Sequence, residues 1–138
     1  MQLFQDIFLD TCSTDQANLA NPIMLAFIGD AVHTLFVRDA VVKTADLLIK
    51  DYHLKAAKRC RAASQAQLLD LICDNLTEQE KNIVRRARNA KTHHIAKNAD
   101  IETYKKATSF EALVGYLYLI GNFERLKQIF KMGEQNDN

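Results

Sequence analysis

One proline and four glycines in 138 residues leave few places where this chain must turn or break. Gly29 and Gly115 lie inside apolar helical patterns, so they do not build the glycine-rich loop that cradles a phosphate. The three cysteines, Cys12, Cys60 and Cys73, are odd in number and lack the paired spacings that ligate zinc or build a disulfide scaffold. A reducing cytoplasm is the expected setting. The longest apolar run is interrupted by Asp30 and His33 well short of membrane-spanning length, and no basic run precedes the apolar residues of "MQLFQDIFLD". Neither membrane insertion nor secretion is expected. An excess of one charge is missing too: 18 Lys and Arg stand against 17 Asp and Glu, so only local clustering can mark a nucleic-acid surface. Repeats, low-complexity stretches and linkers are also absent. With 48% hydrophobic residues, the chain suits one compact domain over residues 1–132 followed by a polar tail, 133–138.

What is present is helix signal, almost without interruption, and no two-residue alternation that would argue for a strand. The fold class expected is all-α. Asn21 is a good N-cap, Pro22 suits the first helical position, and the apolar run that follows predicts a helix from Pro22 to about Val42. Asp51 can cap a second long helix to about Asn75. "TEQE", from Thr77 to Glu80, has the spacing of a capping box and predicts a helix to about Lys91. "THHIAKNAD" then breaks the periodicity. Asp100 can cap a helix that ends near Gly121, and Asn122 starts a last one.

Two of these helices carry an acid in an apolar setting. A 3.6-residue period sets Asp30 beside Ala26, His33 and Thr34, and Glu111 beside Ala107, Thr108 and Gly115. An unpaired buried carboxylate is costly enough that it protonates, pairs or binds a metal. Either acid alone is accounted for by a structural bond, Asp30 with His33, or Glu111 with Lys105, Lys106 or a neighbouring helix. If the helices pack side by side, however, two carboxylates converge among small neighbours. Hard oxygen ligands of that kind suit Mg²⁺, with Mn²⁺ as a substitute, and the chemistry such a site performs is phosphodiester hydrolysis. Other chemistries find less support. His93 and His94 are adjacent and far from His53, which does not make a zinc site, and no Ser-His-Asp arrangement can be argued.

"LAFIGDAV", Leu25 to Val32, resembles the signature motif of ribonuclease III catalytic domains, and "FEALVGYLYL", Phe110 to Leu119, resembles their second acidic motif. The match is closer to the Mini-III ribonucleases and extends through "SQAQLL", "RNAK" and "KNADIETY". The resemblance implies a ribonuclease III endonuclease-like helical fold and a homodimer that cuts double-stranded RNA with Mg²⁺, in the family on precursors of large-subunit ribosomal RNA. It also implies that Asp30 and Glu111 are the catalytic, metal-binding residues. Larger ribonuclease III enzymes have a glutamate where this chain has Ala26 and an aspartate where it has Thr108. Mini-III proteins share that reduced acidic set. The alternative reading is a catalytically silent relative that binds RNA or dimerises.

Because the chain as given ends without a double-stranded-RNA-binding domain, the catalytic domain itself is expected to hold the RNA. Lys81, Arg85, Arg86, Arg88, Lys91 and Lys97 fall in a stretch with no acid, and Lys55, Lys58, Arg59 and Arg61 form a second basic cluster. Duplex RNA is read through phosphates and 2′-hydroxyls, which calls for spaced cations with amide or hydroxyl donors. The candidate contacts are Lys58, Ser64, Gln65, Arg85, Arg88, Asn89, Lys91 and Lys97. Neither DNA nor a membrane is expected as a partner.

Overall fold

The computed structural model describes residues 11–44, 46–91 and 100–134. Among these residues there are helices and no strand: α1 (Thr14–Leu19), α2 (Pro22–Thr44), α3 (Ile49–Cys60), α4 (Ala62–Ile72), a 3₁₀ turn (Cys73–Asn75), α5 (Glu78–Asn89), α6 (Ile101–Leu119) and α7 (Phe123–Glu134). None of them is long and apolar enough to cross a membrane.

Local chemistry accounts for most of the boundaries. Asn21 Oδ1 accepts the Ile23 N–H at 2.9 Å and opens α2. Thr77 Oγ1 accepts the Glu80 N–H at 3.2 Å while Glu80 Oε1 accepts the Thr77 N–H at 2.9 Å, which is the expected capping box of α5. Asp100 Oδ1 accepts the Glu102 N–H and opens α6, and Gly121, at φ 76°, turns the chain toward α7. Ser13 and Gln16 form a second capping box that starts the short α1, a helix the sequence reading did not include. α5 ends at Asn89, short of Lys91, and the "THHIAKNA" break lies outside the described residues. α7 takes in Gly133 and Glu134, the first two residues of the expected tail, whose remainder is not described.

The helix expected from Asp51 to Asn75 is two helices. Arg61, at φ −66° and ψ 151°, is extended and separates α3 from α4, and α3 starts after Leu48, ahead of Asp51. No glycine or proline marks this break. Instead, Ser64 Oγ donates to the Lys58 carbonyl at 2.7 Å, which satisfies an acceptor that the interrupted helix leaves free.

α6 is the central helix. Every residue from Ala107 to Leu117 is buried except Glu111, which is only partly covered. Phe110, Leu113 and Leu117 meet Leu25 of α2, Ile72 of α4, Ile83 of α5 and Ile129 of α7 in one apolar cluster, each side chain contributing roughly 1.5–3 kcal/mol. Polar clamps close its ends. The Arg125 guanidinium donates to both Glu80 carboxylate oxygens, at 2.8 and 2.9 Å, and to the Asn75 carbonyl at 2.6 Å. Arg86 donates to the Asn18 and Ala20 carbonyls and so ties α5 to the end of α1.

Candidate active site

The most extensive helix packing is between α2 and α6, and its closest approach is made by glycines. A Cβ on Gly29 would lie 1.7 Å from the carbonyl oxygen of Glu111, and a Cβ on Gly115 would lie 1.9 Å from the carbonyl oxygen of Leu25. Position 25 faces 115 and position 29 faces 111, so the helices run antiparallel with their backbones in contact. Asp30 follows Gly29 directly. The crossing therefore carries both acids to one rim.

At that rim the two carboxyls lie close enough for Asp30 to act on Glu111. Burial, together with the hydrogen bond and negative charge of Asp30, pushes the Glu111 carboxyl up to about 8, and the Gln65 amide opposes that rise. Asp30 is exposed while Glu111 is largely covered. At neutral pH the Glu111 carboxyl thus holds its proton. A cation held there would supply the positive charge that two adjacent carboxylates lack.

Among the described residues Asp30 does not bond His33 and Glu111 does not pair with a lysine, but Glu111 does reach neighbouring helices, at Asp30 of α2 and Gln65 of α4. His33 faces into the protein, and Gln65 Nε2 lies 3.1 Å from its Nδ1. Its ring meets Phe110 edge to face, with centroids 5.0 Å apart, and lies over Phe130 at 5.9 Å. Burial, and to a lesser degree Arg59, lowers its pKa to about 4, so the ring is neutral at physiological pH. Lys106 reaches Asp70 at 3.0 Å, on α4, and not Glu111.

The expected RNA contacts are spread over the surface. Lys58 is exposed, and with Ser64 it lines a groove of about 670 Å³ whose other walls include Lys55, Arg59, Phe36 and Phe130. Arg85 is exposed and donates to Asn82 at 2.6 Å, and Asn89 and Lys91 are exposed nearby. Arg88 is held by Glu102, at 2.6 Å, so much of its charge is already answered. Gln65, expected at the RNA surface, is buried at 3% exposure and turned to His33 and Glu111. Lys97 lies outside the described residues.

Residues 24–122, which span this helix crossing and both acids, match the Ribonuclease III domain family. The chain is 44% identical over 115 residues to the Mini-ribonuclease 3 of Thermoanaerobacter sp. (strain X514), which covers 83% of this chain and 81% of that one. It is also 44% identical over 110 residues to the Mini-ribonuclease 3 of Symbiobacterium thermophilum, covering 80% and 85%. An X-ray structure of a Fusobacterium nucleatum protein superimposes with a TM-score of 0.78 at 28% identity, over 87% of this chain and 96% of that one. The chain belongs to the ribonuclease III family, in its Mini-ribonuclease 3 branch, and is an endoribonuclease. The silent-module alternative gives way to an enzyme.

Proposed function

We propose that this endoribonuclease cleaves double-stranded RNA with Mg²⁺ held by Asp30 and Glu111, that it works as a homodimer, and that its substrate is a precursor of large-subunit ribosomal RNA. The family acts on double-stranded RNA and generally uses a divalent metal. The single observation that carries the catalytic part is the carboxyl pair at the Gly29 crossing. Its donor chemistry fits the ion. Asp30 and Glu111 offer two hard oxygen ligands, and Mg²⁺ is a cation that keeps several waters when so held. The bound ion supplies charge neutralisation at the scissile phosphate. The chain does the rest. Glu111, with its proton lost to solvent, would be one ligand and the exposed Asp30 the other, and Gly29 permits the close approach of their helices. Cleavage of a perfectly paired RNA with Mg²⁺, and none with the ion chelated, is the expected result. Equal cleavage in both would overturn the reading.

The dimer is supported by what α2 leaves uncovered. Met24, Phe27, Leu35 and Val42 are all exposed, Phe27 at 83%, and their spacing sets them along one side of the helix. A second copy of the same stripe is the simplest cover, since a two-fold interface is self-complementary. Light scattering is expected to give twice the 15.7 kDa chain mass, and Phe27→Glu to give one chain mass with unchanged helicity. A parent protein that is monomeric at micromolar concentration and still cuts duplex RNA would remove the dimer from the proposal.

The exposed cations of α5 support a phosphate-tracking surface. Arg85→Ala is expected to weaken binding to many duplexes alike and to reduce the slope of log affinity against log salt by about one. Arg88→Ala is expected to change the slope less, because Glu102 already neutralises that guanidinium. A slope unmoved by Arg85→Ala would transfer the RNA surface to the Lys55, Lys58 and Arg59 groove.

A further inference from the structure

We propose that Gln65 is a positioning residue for the Glu111 carboxylate, and that His33 in turn fixes the Gln65 amide, so that a buried relay from α2 through α4 to α6 sets the geometry of the metal site. The inference rests on the reading of Asp30 and Glu111 as the metal ligands.

Gln65 comes from α4 and reaches the site from the interior, at 3% exposure, while His33 behind it is 4% exposed. The Gln65 Nε2 is 3.1 Å from His33 Nδ1; the ring of His33 packs on Phe110, the residue before Glu111, and the Gln65 amide lies near enough to act on the Glu111 carboxyl. An amide nitrogen has two hydrogens. With one directed to His33 Nδ1, the other is left for the Glu111 carboxylate. A neutral imidazole can accept that first hydrogen, and burial keeps the ring neutral. Phe110 and Phe130 hold the ring itself, which leaves it little freedom to turn away.

The arrangement matters because glutamate has three rotatable side-chain bonds and its partner at the rim repels it once both are ionised. An N–H donor on one carboxylate oxygen fixes the plane of the group and leaves its other lone pairs facing Asp30 and the cation. Groups bonded to a ligand in this way tune metal affinity by roughly 10–100-fold in other sites. Among the described residues the site has two carboxylates, so the orientation of each bears more of the affinity than it would in a four-acid site.

The test uses the full chain and reads Mn²⁺ binding to the RNA-free protein by electron paramagnetic resonance, beside kcat and KM on duplex RNA and thermal melting. Gln65→Met keeps length and burial but removes the donor. It is expected to weaken Mn²⁺ binding roughly tenfold and to lower kcat with KM for RNA within about twofold. His33→Leu is expected to act in the same direction, whereas His33→Asn, whose amide oxygen takes the place of Nδ1, restores most of the affinity. Both His33 variants lose the same ring contacts, so their difference is free of that packing cost and decides the matter even if Gln65→Met folds poorly. Equal Mn²⁺ affinity in His33→Leu and His33→Asn would overturn the proposal, as would parental affinity in a folded Gln65→Met. Glu111→Gln separates the two levels. If it loses Mn²⁺ while Gln65→Met keeps it, only the positioning role fails; if it binds Mn²⁺ like the parent, the metal-site reading fails and the relay with it.

Discussion

Glu111→Gln is expected to reduce Mg²⁺-supported cleavage of duplex RNA on the order of a thousandfold while making the free protein more stable at alkaline pH. The two effects have one cause. The substitution keeps the size of the side chain and removes the charge that holds the ion. It also removes the charge that burial and Asp30 oppose. In the folded protein the Glu111 carboxyl titrates at about 8 instead of 4.5, so between those values the folded state holds a proton that the unfolded chain has released. Stability therefore falls as pH rises from 4.5 to 8, and the glutamine variant lacks that loss. The gain at pH 8.5 is on the order of 3 kcal/mol, less than the full displacement implies, because the exposed Asp30 can swing away from its neighbour. Asp30→Asn is expected to lose cleavage to the same degree and to gain less stability, since it removes the like charge and leaves Glu111 buried. Thermal melts at pH 6 and pH 8.5, run beside the cleavage assay, check both statements. If Glu111→Gln cuts RNA at the parental rate with Mg²⁺ present, the carboxyl pair is a structural feature and the catalytic centre lies elsewhere.

Much of this site was legible because the sequence rules are local. Asn21, Thr77 and Asp100 state where helices begin, and each does so through side-chain oxygens that accept backbone hydrogens within three residues. The same rule applied to "STDQ" would have found α1, whose Ser13 and Gln16 make the same reciprocal pair. The break at Arg61 was not legible, since its local traces are polar side chains, Ser64 and Arg61, that donate to the Lys58 carbonyl. Asp30 and Glu111 stood out as acids on apolar helices, and the small residues beside them hinted that the helices touch there. Gln65 carried the same signal and was read as a surface donor. It shares a buried stripe with Leu69 and Ile72, at i+4 and i+7, and a polar group on such a stripe needs a partner inside. Arg88 illustrates what no local rule reaches: Glu102, which neutralises it, is 14 residues on and on another helix. Proximity of that kind follows from how α5 and α6 pack.

Gly29→Ala is expected to be the most damaging small substitution in the protein, although alanine is the better helix former. In an exposed helix interior the exchange would stabilise by roughly 1 kcal/mol. Here the new methyl carbon would sit 1.7 Å from the carbonyl oxygen of Glu111, 2.7 Å from its carbon and 2.8 Å from the Gly115 nitrogen. All three atoms are backbone, so no rotamer relieves the overlap and α2 must separate from α6. Overpacking of this kind costs about 1–3 kcal/mol where side chains can yield and more where they cannot, against a total stability on the order of 5–15 kcal/mol. A loss of about 3–5 kcal/mol outweighs the gain in helix propensity. Gly133→Ala provides the contrast within the same chain. Its nearest neighbour is the Leu68 Cδ1 at 2.7 Å, the far end of a flexible side chain, so the melting temperature is expected to stay within a few degrees of the parent. Gly115→Ala is expected to behave like Gly29→Ala, because a methyl there meets the Leu25 carbonyl oxygen at 1.9 Å. Cleavage should fall further than the loss of folded protein accounts for, since any separation at this crossing also parts Asp30 from Glu111. Parental melting and parental cleavage in Gly29→Ala would mean that the helices can part without cost, and the glycine contact would then not be what brings the two carboxylates together.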